Sequence, residues 1–140
     1  RQDSRMPWVQ MAERVNLSAS ACQRRTEAMR DSGVIARFTA DVDASKIGLT
    51  IQAFVEIKVE RQKTDRATAF RRRIASYPEV RAAYKLSGNI DYLVHILVAD
   101  IAALSRFIDD KLLALDGVVD ASSAIVLEEL SCGAGLPITL

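Results

Sequence analysis

Trp8, Met11, Ala12 and Val15 recur at three- and four-residue spacing behind Pro7, a residue favoured at a first helical position, so a short helix is expected over Pro7 to Asn16. After a turn, Ser18 can cap a second helix running to about Ser32, with Gly33 as its stop. On that helix Ala21, Cys22, Arg25, Ala28 and Met29 share one face, leaving Ser20, Gln23, Arg24, Glu27 and Asp31 for the other. Two short helices joined by a tight turn, the second with a polar and basic start, outline a helix-turn-helix. From Val34 to Val42 the alternation is loose, with Ile35, Phe38, Ala40 and Val42 as its apolar members, and suits a short ribbon or linker strand of the winged-helix type. Asp43 to Gly48 reads as a loop, and a domain boundary falls near residues 41 to 48.

The second part alternates more cleanly. Over Thr50 to Val59, Ile51, Ala53, Val55, Ile57 and Val59 interleave with Thr50, Gln52, Phe54, Glu56 and Lys58, a period-2 strand with one apolar face. Asp65 is expected to cap a helix from Arg66 to Ser76, lined by Ala67, Phe70 and Ile74 and stopped by Pro78. Val80 to Leu86 follows as a strand with Val80, Ala82, Tyr84 and Leu86 on one face. The turn Ser87-Gly88-Asn89-Ile90-Asp91 leads into Tyr92 to Val98, apolar on both faces and therefore central or covered twice. Asp100 caps a helix from Ile101 to Leu115 carrying Leu104, Ile108 and Leu112 at helical spacing. Gly117 ends it, and a last strand runs from about Val118 to Leu130.

Strand, helix, strand, strand, helix, strand is the ferredoxin-like βαββαβ plan: an antiparallel sheet with two helices on one face. The fold class is thus α+β, with a helix-turn-helix over residues 1–41, incomplete at its N-terminus, and a ferredoxin-like domain over 48–140. The sheet's second face also carries apolar residues, grouped as Leu93, Leu97, Ile125 and Leu127 opposite Tyr92, Val94, Ile96, Ala124 and Val126. Such a face needs a cover, and a second copy of the chain is the simplest one.

Composition narrows the class. In 140 residues, 49% are hydrophobic and 26% charged, enough for one sizeable core or two small ones and too ordered a pattern for a disordered tail. No apolar run reaches the roughly 18 to 20 residues of a spanning helix and no signal stretch opens the chain, so membrane and secreted readings fall away and a cytoplasmic protein is expected. The chain starts at Arg1, as a processed or trimmed product would. Cys22 and Cys132 form no CxxC pair, which suits structural thiols in a reducing compartment. Net charge is +1, but the residues up to Arg37 carry seven Lys/Arg against four Asp/Glu, a net of +3, and the remainder a net of −2. The positive surplus sits with the helix-turn-helix.

The stretch Met11-Ala-Glu-Arg-Val-Asn-Leu-Ser-Ala-Ser-Ala-Cys-Gln-Arg-Arg, followed by Gly33-Val34-Ile35, resembles the helix-turn-helix of the Lrp/AsnC (feast/famine) transcription regulators. Ser87-Gly88-Asn89-Ile90-Asp91-Tyr92 is similar to the G-D-x-D-Y turn of that family's amino-acid-responsive effector domain, and Gly117-Val118 stands before the last strand as it does there. The resemblance spans nearly the whole chain. It departs where most of a further first helix is missing, where Thr26 replaces an aliphatic residue, where Asn89 replaces Asp and where Ala121 replaces Thr.

The resemblance implies a regulator without catalytic residues, metal or cofactor. Its partners would be double-stranded DNA, a small effector that is an amino acid, and further copies of itself, as a homodimer assembling to an octamer. At the start of a recognition helix, short polar side chains allow close approach and Arg reaches phosphate or guanine, roles that Ser18, Ser20, Gln23, Arg24 and Arg25 fit; the plain alternative is a solvated helix face. Arg5, Arg30 and Arg37 are weaker phosphate candidates. For the effector, the resemblance implies a pocket between dimers lined by the Gly88 turn and the last strand, with Asp91 for an ammonium group and Gly88, Asn89, Ser122 and Ser123 for a carboxylate, Tyr92 closing the turn motif. Glycine at position 88 alternatively serves only a positive φ.

His95, the sole histidine, sits among apolar strand residues and reads as a packed core or interface residue rather than a ligand or base. Glu128 and Glu129 are adjacent, so on a strand they point to opposite faces. Arg71-Arg72-Arg73 reads as a solvated helix face. P-loop, GxGxxG, HExxH and GxSxG signatures are missing. Two other readings stay open. One is a tetrapyrrole-pathway, siroheme-type decarboxylase on the same scaffold, with His95 and arginines holding a carboxylated ligand; the other is an effector-binding module without DNA binding.

Overall fold

Periodicity and capping chemistry place most elements where the chain puts them. The computed structural model of the protein describes residues 6–40, 42–60 and 64–130. The chain divides between Val42 and Asp43 into two compact units.

In the first unit, α1 (Trp8–Val15) and α2 (Ala19–Asp31) pack on each other through Ala12 and Cys22, the two buried side chains of the pair. Asn16 ends α1 in the left-handed region at φ 53° and ψ 47°, a conformation Asn tolerates better than most residues, and Leu17 N–H bonds Ala12 O at 3.0 Å. Ser18 then caps α2, its Oγ accepting from Ala21 N–H at 3.2 Å. The buried and half-buried residues of α2 are Ala19, Ala21, Cys22 and Thr26, so Ala21 lies with Cys22 as expected, while Arg25, Ala28 and Met29, expected on the same face, are exposed. Thr26 fits because its hydroxyl bonds Cys22 O at 2.9 Å, which removes the cost of a half-buried polar group. The ribbon expected over Val34 to Val42 is not formed: residues 36–40 belong to no regular element and Phe38 is exposed. With no partner strand beside it among the described residues, a loosely alternating segment has nothing there to complete its backbone ladder.

The second unit opens with a 3-10 turn, Ala44–Ile47, which Asp43 caps through Ser45 N–H and Oγ, in place of an irregular loop. Then come β1 (Ile51–Val59), α3 (Thr64–Ala75), β2 (Val80–Lys85), β3 (Tyr92–Val98), α4 (Ile101–Arg106), a π-helical continuation over Phe107–Leu112, and β4 (Val118–Ile125). The sheet is antiparallel in the order β2-β3-β1-β4, the ferredoxin-like arrangement with β1 and β3 central. Its core joins Ala53, Val55 and Ile57 of β1 to Val94 and Ile96 of β3, beneath Phe70, Ile74, Leu104, Phe107 and Leu112 of the helices.

Five expectations need correction here. Helix α3 begins at Thr64, so Asp65 lies inside its first turn rather than at its cap. In β2 a bulge between Val80 and Ala82 opposes Val80 to Ile96 and Ala82 to His95. Val80 therefore faces the helices while Ala82 and Tyr84 face the open side, because one extra residue reverses the alternation. In β4, Ile125 opposes Ala53 and Ala124 opposes Phe54, so Ile125 is on the helix side and Ala124 on the open side, the reverse of the expected grouping. The fourth correction is length: β4 stops at Ile125, and after one more bond, Val126 N–H to Gln52 O at 2.8 Å, residues 127–130 leave the ladder. The helix expected to reach Leu115 is regular only to Arg106; Leu113 N–H then reaches back five residues to Ile108 O at 2.9 Å.

Candidate nucleic-acid interface and effector site

Capping by Ser18 presents the first turns of α2. Ser18 Oγ also lies 3.1 Å from Ser20 Oγ, so the two hydroxyls form one short polar ridge at the helix start. Gln23 Nε2 donates to Glu27 Oε1 at 3.0 Å, a bond along the exposed face. Arg24 and Arg25 are exposed and pair with no other described residue. Ser18, Ser20, Gln23, Arg24 and Arg25 therefore lie together on the solvent side of one helix whose inner side is fixed by Cys22. Of the weaker candidates, Arg30 is bound to Asp31 at 3.2 Å, Arg37 is exposed, and Arg5 lies outside the described residues.

In the second unit the turn between β2 and β3 is held at three points. Leu86 N–H bonds Asp91 O at 2.9 Å, Asp91 N–H bonds Ile57 O at 3.0 Å, and Asp91 Oδ2 accepts from Val59 N–H at 2.9 Å. The carboxylate of Asp91 thus ties the turn to the end of β1, a role that its place in a turn motif does not announce. Gly88 has φ 144°, a conformation that side-chain-bearing residues rarely adopt, and space around it is open. Asn89 is exposed beside it. Tyr92 is buried on the helix side, its ring 4.9 Å from Phe70, and so belongs to the core rather than to an open pocket wall. Ser122 opposes Glu56 on the open side of the sheet and Ser123 opposes Val55 on the helix side, both exposed. The arrangement gathers Gly88, Asn89 and Asp91 and splits the two serines between faces.

The open sheet face is built from cross-strand rows. Tyr84, Leu93, Glu56 and Ser122 form one, and Ala82, His95, Phe54 and Ala124 the next. At its centre the His95 and Phe54 rings stack at 4.7 Å with an interplanar angle of 19°, and His95 Nε2 is enclosed with no bonding partner among the described residues. Burial lowers the His95 pKa, the positive charge of Arg81 lowers it further, and Glu129 opposes both. Phe54 had a signal in the sequence: it is the one large apolar residue on the polar side of β1.

Elsewhere, Glu128 and Glu129 are exposed beyond the end of β4. Arg71 folds back onto Ala67 O and Thr68 Oγ1, and Arg73 lies over the Tyr77 ring at 5.0 Å, so the arginine run is a helix surface partly engaged with its own helix. Among the described residues no three His, Cys, Asp or Glu side chains converge as a metal set, and no helix is long and apolar enough to cross a membrane. Cys22 is a buried free thiol; Cys132 lies outside the described residues.

Comparison with known proteins gives this geometry a family. The model of the AsnC-type helix-turn-helix domain matches residues 1–30, and that of the Lrp/AsnC ligand binding domain matches residues 52–136. The DNA-binding transcriptional activator DecR of Escherichia coli is 30% identical over 137 residues, 98% of this chain and 90% of that protein. A transcriptional regulator of Neisseria meningitidis, solved in complex with L-methionine, superposes with a TM-score of 0.88 at 34% identity, covering 93% of this chain and 84% of its own. An AsnC family regulator of Agrobacterium tumefaciens gives 0.89 at 32% identity, over 97% and 88%. With a helix-turn-helix ahead of an antiparallel βαββαβ sheet, and with both family models matched in that order, the chain belongs to the Lrp/AsnC family of transcriptional regulators.

Proposed function

We propose that the protein is a sequence-specific DNA-binding transcriptional regulator, not an enzyme, whose assembly or DNA affinity responds to a small effector, an amino acid. The observation that carries the reading is α2: a capped helix with Ser20, Gln23, Arg24 and Arg25 on its free side and Cys22 locking the other. In this reading Ser18 and Ser20 allow close approach to the groove, Gln23 reads a base edge on exchanging its Glu27 bond, and Arg24 and Arg25 take phosphate or guanine.

A homodimer paired through open sheet faces, and its further assembly to an octamer, would set the spacing of two such helices on a duplex. The effector is held at the turn, with Asp91 facing the ammonium through its second oxygen and Gly88, Asn89 and Ser122 serving the carboxylate; Tyr92 supports the turn from the core and Ser123 contributes from the other face. It acts by its difference in affinity between two assembly states.

The test is binding of labelled DNA from upstream of the chain's own coding region, followed by fluorescence anisotropy at several salt concentrations. Arg24→Ala is expected to weaken specific binding by roughly 1 to 3 kcal/mol and to flatten the salt slope if Arg24 contacts phosphate. Unchanged affinity removes Arg24 from the interface, and binding by neither protein overturns the reading.

A further inference from the structure

His95 is the middle residue of β3, one of the two central strands, and so stands near the centre of the open sheet face. The row it shares with Ala82, Phe54 and Ala124 contains no other group that can change charge, and its open-side neighbours along β3, Leu93 and Leu97, are apolar. Its ring lies against Phe54 with centroids 4.7 Å apart, and Nε2 is enclosed with no bonding partner among the described residues. Protonation would place an N–H and a positive charge at that nitrogen with no acceptor to receive them.

The groups that could offset such a charge lie around the row rather than in it. From β1, Glu56 and Lys58 face the open side; from β4, Asp120 opposes Lys58; Glu129 follows the end of β4. From β2 come Arg81, at the bulge, and the titratable but exposed Tyr84. Burial weighs most against a charge on His95, Arg81 adds to it, and Glu129 acts the other way. A face with an apolar centre and both signs around it suits a second copy of the chain better than a strongly acidic or basic partner, since a two-fold operation can set its acids against its bases.

An isologous contact also brings residues near its axis against their own counterparts. With the whole face covered, the two His95 rings come close to that axis, where the remaining water is lost and a proton on each would put like charges together. Each paired copy then refuses a proton that the separate copy accepts, so pairing is favoured at higher pH and weakens as pH falls.

On the basis of a homodimer paired through open sheet faces, we propose that His95 makes this pairing acid-sensitive: the neutral ring is part of the covered face, and the protonated ring drives the folded copies apart. Acidification is then a signal that needs no bound effector. With the copies parted, two α2 helices no longer meet a duplex as one unit, and DNA affinity falls as well.

Fluorescence-detected sedimentation of the full chain, from about 1 nM to about 10 μM, gives the dissociation constant of the pair. It is measured at about pH 7.5 and about pH 5 at one ionic strength, with circular dichroism to follow folding. The parent's constant is expected to rise at least about tenfold on acidification, because two protons are refused per pair. His95→Gln, which stays neutral, is expected to change by less than about threefold, and His95→Phe to behave alike should glutamine not fold in that place. A parent constant that stays level or falls on acidification, a rise that the variants share, or a pair still whole at the lowest concentration at both pH values overturns the proposal and leaves the pairing standing. A parent that unfolds on acidification, instead of parting while folded, overturns it too. Leu93→Lys, on the same face, separates the two ideas, since it is expected to part the copies at the higher pH. A parent that is single there, or a pair that Leu93→Lys leaves whole, overturns the open-face homodimer and the acid response with it.

Discussion

Asp91 shows how much one side chain in a turn can be asked to do. A single carboxylate oxygen receives the Val59 amide, while its own backbone bonds both Leu86 and Ile57, so three chain segments meet at one residue. Removing the carboxylate strands a half-buried amide at the end of β1. Asp91→Ala is therefore expected to destabilise the second unit by about 1 to 3 kcal/mol in chemical denaturation, even with no effector present. A variant as stable as the parent would mean that water replaces the bond at no cost. Sequence marked Asp91 as part of a turn motif but gave no sign of its partner, because Val59 is 32 residues away and nothing local couples them. Tyr92 is the converse: its place in the same motif suggested the pocket, and strand alternation alone would have sent it to the core with Val94 and Ile96.

At the level of elements, caps and periodicity were readable and register was not. Ser18, Asp100 and the run Tyr92 to Val98 stand where their chemistry predicts, with Asp100 Oδ1 accepting from Ala103 N–H at 2.6 Å. The faces of β2 and β4 differ from those that alternation predicts because a bulge and a pairing partner decide them, and neither leaves a trace in one strand read alone. The stacked pair His95 and Phe54 joins β3 to β1 on the open face, and His95 is the group from which a pH dependence of that sheet is expected. Burial, and after it Arg81, hold the His95 pKa below its ordinary value, with Glu129 pulling the other way. In the window between the folded and unfolded values the unfolded chain binds the proton that the folded chain refuses, so stability rises with pH there and falls on acidification. Between about pH 7 and about pH 5, denaturation midpoints are expected to drop in the parent and to drop less in His95→Gln. Equal slopes in the two would move the dependence to another group.

For the molecule as a whole, the fold and family were legible because two motifs occur in order on two periodicities, whereas a cleft beside α4 was not. Arg106 and Asp110 share one helical turn while Glu79 precedes β2, and only the packing of that helix on the sheet brings the three to one opening. The division between Val42 and Asp43 likewise follows charge as well as contacts, since the positive surplus belongs to the first unit. The bulge in β2 sets what lengths of chain this architecture can accept. Every residue of β1 and β3 is counted into an in-and-out alternation, so excising one from the middle of either strand would turn the rest of that strand inside out, exchanging buried for wet positions. Arg81 of β2 stands outside that count as a surplus member of the ladder between Val80 and Ala82, as Val119 of β4 does between Val118 and Asp120. A chain shortened by Arg81 alone is expected to melt cooperatively with its circular dichroism intact, and one shortened by Val94 to lose its transition, so that a single codon's loss is silent at one site in the sheet and ruinous at its neighbour.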